Sequence, residues 1–181
     1  MRGAVFLDRD GTIIHDPGYL DDAGRVALLP NAAEGLGEMT RAGWPLVIVS
    51  NQSGIARGLY GPDSFAAINR RLEELLAPAR VRFLAAYFCP HLPEISGACR
   101  CRKPGVELFE RAAGEHNLDL ARSWFVGDRA RDVEPALTLG GRGLLVVHED
   151  QAEDVQRAAR LGLARAADLL AAASIIGALG P

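Results

Sequence analysis

Five short apolar runs alternate with amphipathic stretches along the chain, at residues 4–7, 46–50, 83–88, 123–126 and 143–147. Each run is almost continuously apolar, which is typical of a parallel strand buried on both faces. The stretches between them predict helices over 31–43, 61–77, 106–116 and 130–139, and the alanine-rich C-terminal part predicts one or two more. Asn31 and Glu34 have the spacing of a capping box at the first helix. This alternation predicts an α/β fold with a doubly wound, mostly parallel, Rossmann-like sheet.

Length, composition and charge narrow the class of protein. The chain has 181 residues, 49% of them hydrophobic, and a formal net charge of −3. We expect one domain over residues 1–181, with no affinity for nucleic acid or anionic membranes. The apolar run at 4–7 is too short for a signal peptide, and no segment approaches the ~20 apolar residues of a membrane span. We therefore expect a cytoplasmic protein, and nothing in the sequence requires more than a monomer.

Carboxylates follow two of the predicted strands. Asp8 and Asp10 end the first strand, and Gly11 then allows a sharp turn. Such carboxylates can bind a hard cation, attack phosphorus and transfer protons, although a lone D-x-D pair is more often a solvated turn. Asp128 ends the fourth strand, so it could share a magnesium ion with Asp8. Asp132, near the start of the next helix, could also bind metal, but a role in capping that helix would explain it as well.

A phosphate-binding segment follows the second strand. Ser50 offers a hydroxyl there, and successive backbone N–H groups in a polar loop can form an anion-binding nest, although the same residue types are common in ordinary turns. The loop continues with Asn51, Gln52 and Ser53. Lys103 is the only lysine among twenty basic residues and stands before Pro104, which opens the next helix. A compact ammonium there would neutralise a phosphoryl group.

All three cysteines and one of the four histidines lie close together after the third strand, at Cys89, His91, Cys99 and Cys101. Two close pairs of thiolate and imidazole ligands suit tetrahedral Zn²⁺, and four protein ligands leave no open position for catalysis. Buried thiols beside a surface histidine are the alternative, but thiols scattered through a core would not cluster in a stretch that carries Pro90, Pro93 and Gly97. We predict a small structural zinc loop at about 89–104, which positions the residues that follow it. The other three histidines have no partner that the sequence identifies.

Four ordered elements, DRDGT, SNQSG, RKP and GDRARD, resemble the phosphatases of the haloacid dehalogenase superfamily over essentially the whole chain. The resemblance implies that Asp8 is the nucleophile, forming an aspartyl phosphate, and that Asp10 is the general acid and base. Asp8, the backbone carbonyl of Asp10, and Asp128 would hold Mg²⁺, while Ser50 and Lys103 would stabilise the phosphoryl group. No insertion is long enough for a large cap domain.

Within this superfamily the chain resembles two groups, the heptose 1,7-bisphosphate phosphatases and the histidinol-phosphate phosphatases. The stretches DPGY and SNQSGIARG are similar to the first group, GDRARD leans towards the second, and both groups share the cysteine loop. The resemblance implies release of the 7-phosphate of the sugar bisphosphate, with dephosphorylation of histidinol phosphate as the alternative. The predicted substrate-binding residues are Asp16, Pro17, Gly18, Tyr19, Asn51, Gln52, Ser53, Arg102 and Arg129.

The choice between these substrates depends on charge. A second phosphate needs cations, and the nearby candidates are Arg57, Arg102 and Arg129. The amine of histidinol phosphate would instead need carboxylates, which Asp16, Asp21 and Asp22 could supply. Because Arg102 adjoins Lys103, the sequence favours a small sugar bisphosphate.

Two non-catalytic classes are the remaining alternatives. A signalling receiver module also places aspartates and a lysine on an α/β sheet and accepts phosphate without turnover, but it needs no second aspartate at the position of Asp10. A zinc-binding interaction module would need no ordered phosphate site. The sequence therefore favours a phosphoric monoester hydrolase of carbohydrate metabolism.

Overall fold

A computed structural model describes residues 1–149, 151–178 and 180, and its centre is a six-stranded parallel sheet. The strands are β1 (Val5–Leu7), β2 (Leu46–Asn51), β3 (Phe83–Cys89), β4 (Trp124–Gly127), β5 (Arg142–Val146) and β6 (Ala164–Ala166). Their order is β3-β2-β1-β4-β5-β6, and every neighbouring pair is parallel. The five predicted strands are confirmed to within one or two residues. The sequence did not predict β6, which has only three residues and an exposed Arg165 at its centre.

The helices cover both faces of this sheet. They are α1 (Ala32–Arg41), α2 (Ser53–Ala56), α3 (Pro62–Leu76), α4 (Pro93–Ser96), α5 (Glu107–His116), α6 (Ala130–Val133), α7 (Pro135–Leu139), α8 (Ala152–Arg160) and α9 (Leu169–Gly177). The predicted helix over 130–139 is two short helices, because proline interrupts the backbone hydrogen bonding at position 135. In the described part of the chain, no helix is long and apolar enough to cross a membrane.

Alternate residues of the central strands enter different cores. Val5 and Leu7 pack in the cluster that contains the buried faces of α1, α3 and α9. Phe6 faces the other side, where its ring stacks on Phe125 at 5.2 Å and meets Phe109 of α5 edge-on at 5.4 Å. Burial on both faces explains why these strands read as continuous apolar runs.

The predicted capping box of α1 is wrong. Asn31 has a left-handed backbone (φ 62°) and makes no side-chain hydrogen bond to the start of the helix. Its amide instead donates to Asp168 at 2.7 Å, and the other Asp168 oxygen accepts from a backbone N–H of α9. Asn31 therefore connects α1 with the last helix, a contact that no local pattern encodes.

Candidate active site

The site lies where the chain leaves the carboxyl ends of β1, β2 and β4, the position at which open α/β sheets bind ligands. A cavity of about 140 Å³ opens there beside Asp8, Ser50 and Asp132. The residues lining it are Asp8, Asp10, Asp16, Gly18, Tyr19, Leu20, Ser50, Asn51, Gln52, Ser53, Tyr60, Arg102, Arg131 and Asp132. The structure thus brings together elements that the sequence places in four separate segments.

Lys103 is buried at the centre of this site and its ammonium has three acceptors. Nζ lies 2.6 Å from Asp8 Oδ1, 2.9 Å from Asp132 Oδ1 and 2.6 Å from the carbonyl oxygen of Val49. Burial lowers the pKa of Lys103, but Asp132 and Asp8 raise it by more, so that its pKa is above the ordinary value. The three donors of the ammonium are all used, and the group stays charged.

Asp8 is almost fully buried and surrounded by charge. Burial raises its pKa well above the ordinary value, Lys103 opposes that change, and the nearby carboxylates of Asp132, Asp128 and Asp10 add to it. A nucleophilic carboxylate must be ionised. Lys103 therefore favours the ionised form that a nucleophile at this position would need.

Asp128 and Asp132 complete a buried carboxylate cluster with Asp8, in which one oxygen of each lies within 4.8 Å of the others. Burial, followed by the Asp132 charge, raises the pKa of Asp128 to about 6. Gly11 passes close by with φ +83°, and a Cβ there would lie 2.7 Å from Asp128 Oδ2. Only glycine fits this close approach between the two strand ends.

The Asp10 side chain has a different environment, outside that carboxylate cluster. Its oxygens accept hydrogen bonds from Arg9 at 3.2 and 2.9 Å, from Gln52 Nε2 at 2.7 Å and from Ser50 Oγ at 3.4 Å. Gln52 is held in turn by Tyr60, whose hydroxyl donates to its Oε1 at 2.7 Å. Neither Arg9 nor Tyr60 was predicted from the sequence.

Asn51 joins the phosphate-binding loop to the lysine. Its Oδ1 accepts from the backbone N–H of Lys103 at 3.0 Å, and its Nδ2 donates to the Lys103 carbonyl at 3.2 Å. This two-point contact fixes the backbone of Lys103 against the end of β2. The Asn51 amide thus contacts protein, although the residue also lines the cavity.

Cys89, His91, Cys99 and Cys101 form a second ligand cluster, within 4.8 Å of one another. The Cys89 sulfur lies 3.1 Å from that of Cys101 and 3.7 Å from that of Cys99, and His91 Nδ1 lies 3.2 Å from Cys101. Burial raises the thiol pKa of Cys89 and of Cys101. Burial acts in the same direction on Cys99, but hydrogen bonds from backbone N–H groups and from the other two thiols outweigh it and lower the pKa of Cys99. The cluster connects to the active site through Arg102, which donates to the carbonyl of His91 at 3.2 Å.

Two of the predicted substrate-binding residues do not line the cavity. Pro17 is exposed outside it, and Arg129 pairs with Asp128 at 3.2 Å and with Asp154 at 3.4 Å. The predicted residues that do line it are Asp16, Gly18, Tyr19, Asn51, Gln52, Ser53 and Arg102. Arg131 also lines it and was not predicted.

The loop after β5 supplies two further contacts. Gln151 Nε2 donates to Asp128 Oδ2 at 2.8 Å, and His148 Nε2 lies 2.7 Å from the carbonyl oxygen of Gly11. His148, for which the sequence identifies no partner, thus contacts the loop that follows β1. No motif marks either residue, because the contacts depend on β5 lying beside β4.

Comparison with known proteins agrees with this geometry. Residues 100–172 match the HAD-hydrolase-like family. The D-glycero-D-manno-heptose-1,7-bisphosphate 7-phosphatase of Thermosynechococcus vestitus is 42% identical over 154 residues, covering 80% of this chain and 79% of that protein. The chain belongs to the heptose-1,7-bisphosphate 7-phosphatase family.

Two further heptose bisphosphate phosphatases are similar to this chain in sequence or in structure. The D-glycero-beta-D-manno-heptose-1,7-bisphosphate 7-phosphatase of Yersinia pestis is 38% identical over 74% of each chain. The crystal structure of D,D-heptose 1,7-bisphosphate phosphatase from B. bronchiseptica, complexed with magnesium and phosphate, is 30% identical with a TM-score of 0.84 and covers 96% of this chain and 97% of that one. These relatives confirm the predicted fold, superfamily and enzyme class, and they favour the sugar bisphosphate over histidinol phosphate and over a non-catalytic module.

Proposed function

We propose that this protein is a Mg²⁺-dependent phosphomonoesterase that removes the 7-phosphate of D-glycero-D-manno-heptose 1,7-bisphosphate through an aspartyl phosphate on Asp8. The observation that carries the proposal is the contact between Lys103 Nζ and Asp8 Oδ1 at 2.6 Å, at the edge of a cavity and beside two more buried carboxylates. This combination of nucleophile, cation and carboxylates is what phosphoryl transfer requires. The names of the relatives supply the substrate.

The donor set fits magnesium. Asp8 and Asp128 offer oxygens within 4.8 Å of each other, and burial raises the pKa of both. Mg²⁺ prefers carboxylate and carbonyl oxygens, so we assign it to Asp8, the Asp10 carbonyl and Asp128. When bound, it would offset the negative charge of the phosphoryl oxygens. The relative from B. bronchiseptica was crystallised with magnesium.

The cysteine cluster fits zinc in the same way. Zn–S bonds of about 2.3 Å in a tetrahedron give S···S edges of about 3.8 Å, and shorter edges to nitrogen. The edges of 3.1 to 3.7 Å found here are slightly contracted versions of that arrangement. We assign the ion a structural role, since all four ligands come from the protein.

The chemistry follows from the side chains at the cavity. An Asp8 oxygen attacks phosphorus and the bond to the sugar oxygen breaks, while Asp10 gives its proton to that oxygen. Asp10, now a carboxylate, takes a proton from water as the water oxygen attacks phosphorus, which breaks the bond to Asp8 and releases phosphate. The Lys103 ammonium and the Ser50 hydroxyl stabilise the phosphoryl oxygens.

The test is Mg²⁺-dependent phosphate release from the heptose bisphosphate and from histidinol phosphate, side by side, with Asp8→Asn as the blank. Phosphorus NMR of the sugar product shows which phosphate has left. A much higher kcat/KM for the bisphosphate, with loss of the 7-phosphate alone, supports the proposal. Equal or better turnover of histidinol phosphate would contradict the substrate, and turnover by Asp8→Asn would contradict the nucleophile.

Arg102 is the residue that we assign to the second phosphate. Its half-buried guanidinium lines the cavity and is oriented by the His91 carbonyl. Arg102→Ala should raise KM for the bisphosphate by about tenfold, because a charge-assisted contact contributes roughly 1.5–3 kcal/mol. KM for a simple monophosphate should change less than threefold. Equal effects on both substrates would contradict the assignment, and Arg100→Ala, an exposed arginine of the same loop, is the matched control.

The domain assignment, the oligomeric state and the compartment stay predictions. We propose one phosphatase domain over 1–181, acting as a monomer in the cytoplasm, and the single sheet supports the first part. Size-exclusion chromatography with light scattering tests the second.

A further inference from the structure

Arg9 stands between the two catalytic aspartates in the sequence, and its side chain is fully buried, with 0% exposure. Its guanidinium contacts Asp10 as a fork, with Nε 3.2 Å from Oδ1 and Nη2 2.9 Å from Oδ2. Paired contacts of this kind fix the orientation of a carboxylate as well as its charge. None of the roles assigned above uses Arg9.

The far side of the guanidinium is held by α3. Nη1 donates to Asn69 Oδ1 at 3.1 Å, and the guanidinium carbon lies 4.8 Å from the centre of the Phe65 ring. Arg9 thus connects a catalytic loop to a fifteen-residue helix. All three of its nitrogens have hydrogen-bond partners. The position of α3 therefore determines the orientation of the guanidinium.

A contribution to stability alone does not explain this arrangement. Removing two charges from water costs about as much as their attraction returns, so a buried ion pair is weak evidence of a stabilising role. Asp10, by contrast, has a task that depends on direction. It must reach first the sugar oxygen and then a water molecule, and a misplacement of about 1 Å can cost about a hundredfold in rate.

We propose that Arg9 is a positioning residue for Asp10, which it orients for proton transfer from the anchor that Asn69 and Phe65 provide. The inference rests on the proposed phosphatase function. In the first step the bond between phosphorus and the sugar oxygen breaks and the Asp10 proton moves to that oxygen. Arg9 exchanges no proton and does not touch the phosphoryl group; it acts through Asp10 only.

This role predicts a dependence on the leaving group. A sugar alkoxide is a strong base and needs the Asp10 proton, whereas p-nitrophenolate leaves without one. The ratio kcat/KM reports the steps up to departure of the leaving group and excludes the later hydrolysis of the aspartyl phosphate. Substitution of Arg9 should therefore lower kcat/KM for alkyl phosphates and leave kcat/KM for p-nitrophenyl phosphate nearly unchanged.

The experiment is Arg9→Lys, which keeps the charge and removes the fork. We expect kcat/KM for the heptose bisphosphate to fall by about tenfold to a hundredfold, with KM within twofold, and kcat/KM for p-nitrophenyl phosphate to fall by less than threefold. Equal losses for the two substrates, or a higher KM with unchanged kcat, would overturn the proposal. Arg71→Lys, an exposed arginine on α3, is the matched control and should change neither value.

Asn69→Ala gives a second test that leaves Arg9 in place. It also tests the proposal if Arg9→Lys does not fold. It should show the same selectivity with a loss of about threefold to tenfold for the alkyl substrate, and a loss without selectivity would overturn the proposal. If the wild type cleaves p-nitrophenyl phosphate and glycerol phosphate but not the heptose bisphosphate, the proposed substrate fails. The comparison of aryl with alkyl phosphate then still decides the role of Arg9.

Discussion

The carboxylate cluster and the cysteine cluster are both sets of side chains that could hold a metal ion, but the chain builds them in different ways. Asp8, Asp128 and Asp132 stand at the ends of central strands or on the helix that follows, and Lys103 supplies an internal cation. The four residues that we propose as zinc ligands lie at the end of the edge strand β3 and in a segment that has one four-residue helix of its own. In the described part of the chain, the side chains in hydrogen-bond contact with the thiols are His91 and the other cysteines.

The difference shows which cluster can exist before its metal binds. The sheet holds the carboxylates in place and Lys103 offsets part of their charge, so we expect this site to form in the absence of magnesium. The cysteine segment buries little apolar surface, and exposed Ile95 and Gly97 stand at its centre. Its order should therefore depend on zinc, because metal binding and local folding are the same event in such a segment. The two regions meet at Arg102 and Lys103.

The largest expected effect comes from removing the internal cation. Lys103→Met leaves Asp8 and Asp132 buried without it, which should lower the free energy of unfolding in EDTA by about 3–5 kcal/mol and abolish turnover. Urea unfolding measures the first effect. The double variant Lys103→Met/Asp8→Asn should recover part of the stability, because one buried charge has gone. Unchanged stability of Lys103→Met would show that the sheet alone holds the carboxylates.

An intermediate effect is expected from opening the zinc loop. Cys99→Ser, or removal of zinc from the wild type, should raise hydrogen exchange over residues 90–102 while the central strands keep their protection. Turnover should fall by about tenfold rather than vanish, since Asn51 still holds the backbone of Lys103. Glu94→Gln, an exposed change in the same loop, is the control. Full protection of the loop without zinc would show that the cysteine segment, like the carboxylate cluster, is ordered before its metal binds.

The smallest effect should come from Gln151, which donates to Asp128 and so lowers the pKa of that carboxyl. Gln151→Leu should weaken Mg²⁺ binding by about tenfold, as loss of an outer hydrogen bond to a ligand does, measured by calorimetry. Glu153→Gln on α8 is the control, and unchanged binding by Gln151→Leu would contradict the assignment of Asp128 as a ligand.

The raised pKa of Asp128 also predicts how the stability and the Mg²⁺ affinity of the protein change with pH. In the metal-free protein the pKa of Asp128 is about 6, above its value in the unfolded chain, so the folded state holds the extra proton between about pH 4 and 6. The Asp128 contribution therefore makes metal-free stability fall as pH rises through this window, and Mg²⁺ affinity should rise over it because the proton must leave. Gln151→Leu should move both transitions to higher pH.

The sequence by itself determined five of the six strands described, most helices, the order of the four motifs and the cysteine cluster. These features are local: an apolar run, a helical period or a pair of closely spaced thiols is complete within a few residues. The same locality explains the errors. Asn31 has the residue type and spacing of a cap, but its amide partner Asp168 stands 137 positions away.

Only the tertiary structure decided which charges meet. Lys103 lies 95 positions from Asp8, and they touch because the crossover connections bring the strand ends to one edge of the sheet. Arginine side chains are mostly exposed in proteins. Among the described residues, Arg9 is nevertheless the largest fully buried side chain, because α3 packs over it. Residue types determine which chemistry is available. The charge and the orientation of each side chain depend on its burial and on its hydrogen-bond and ion-pair partners, which only packing determines.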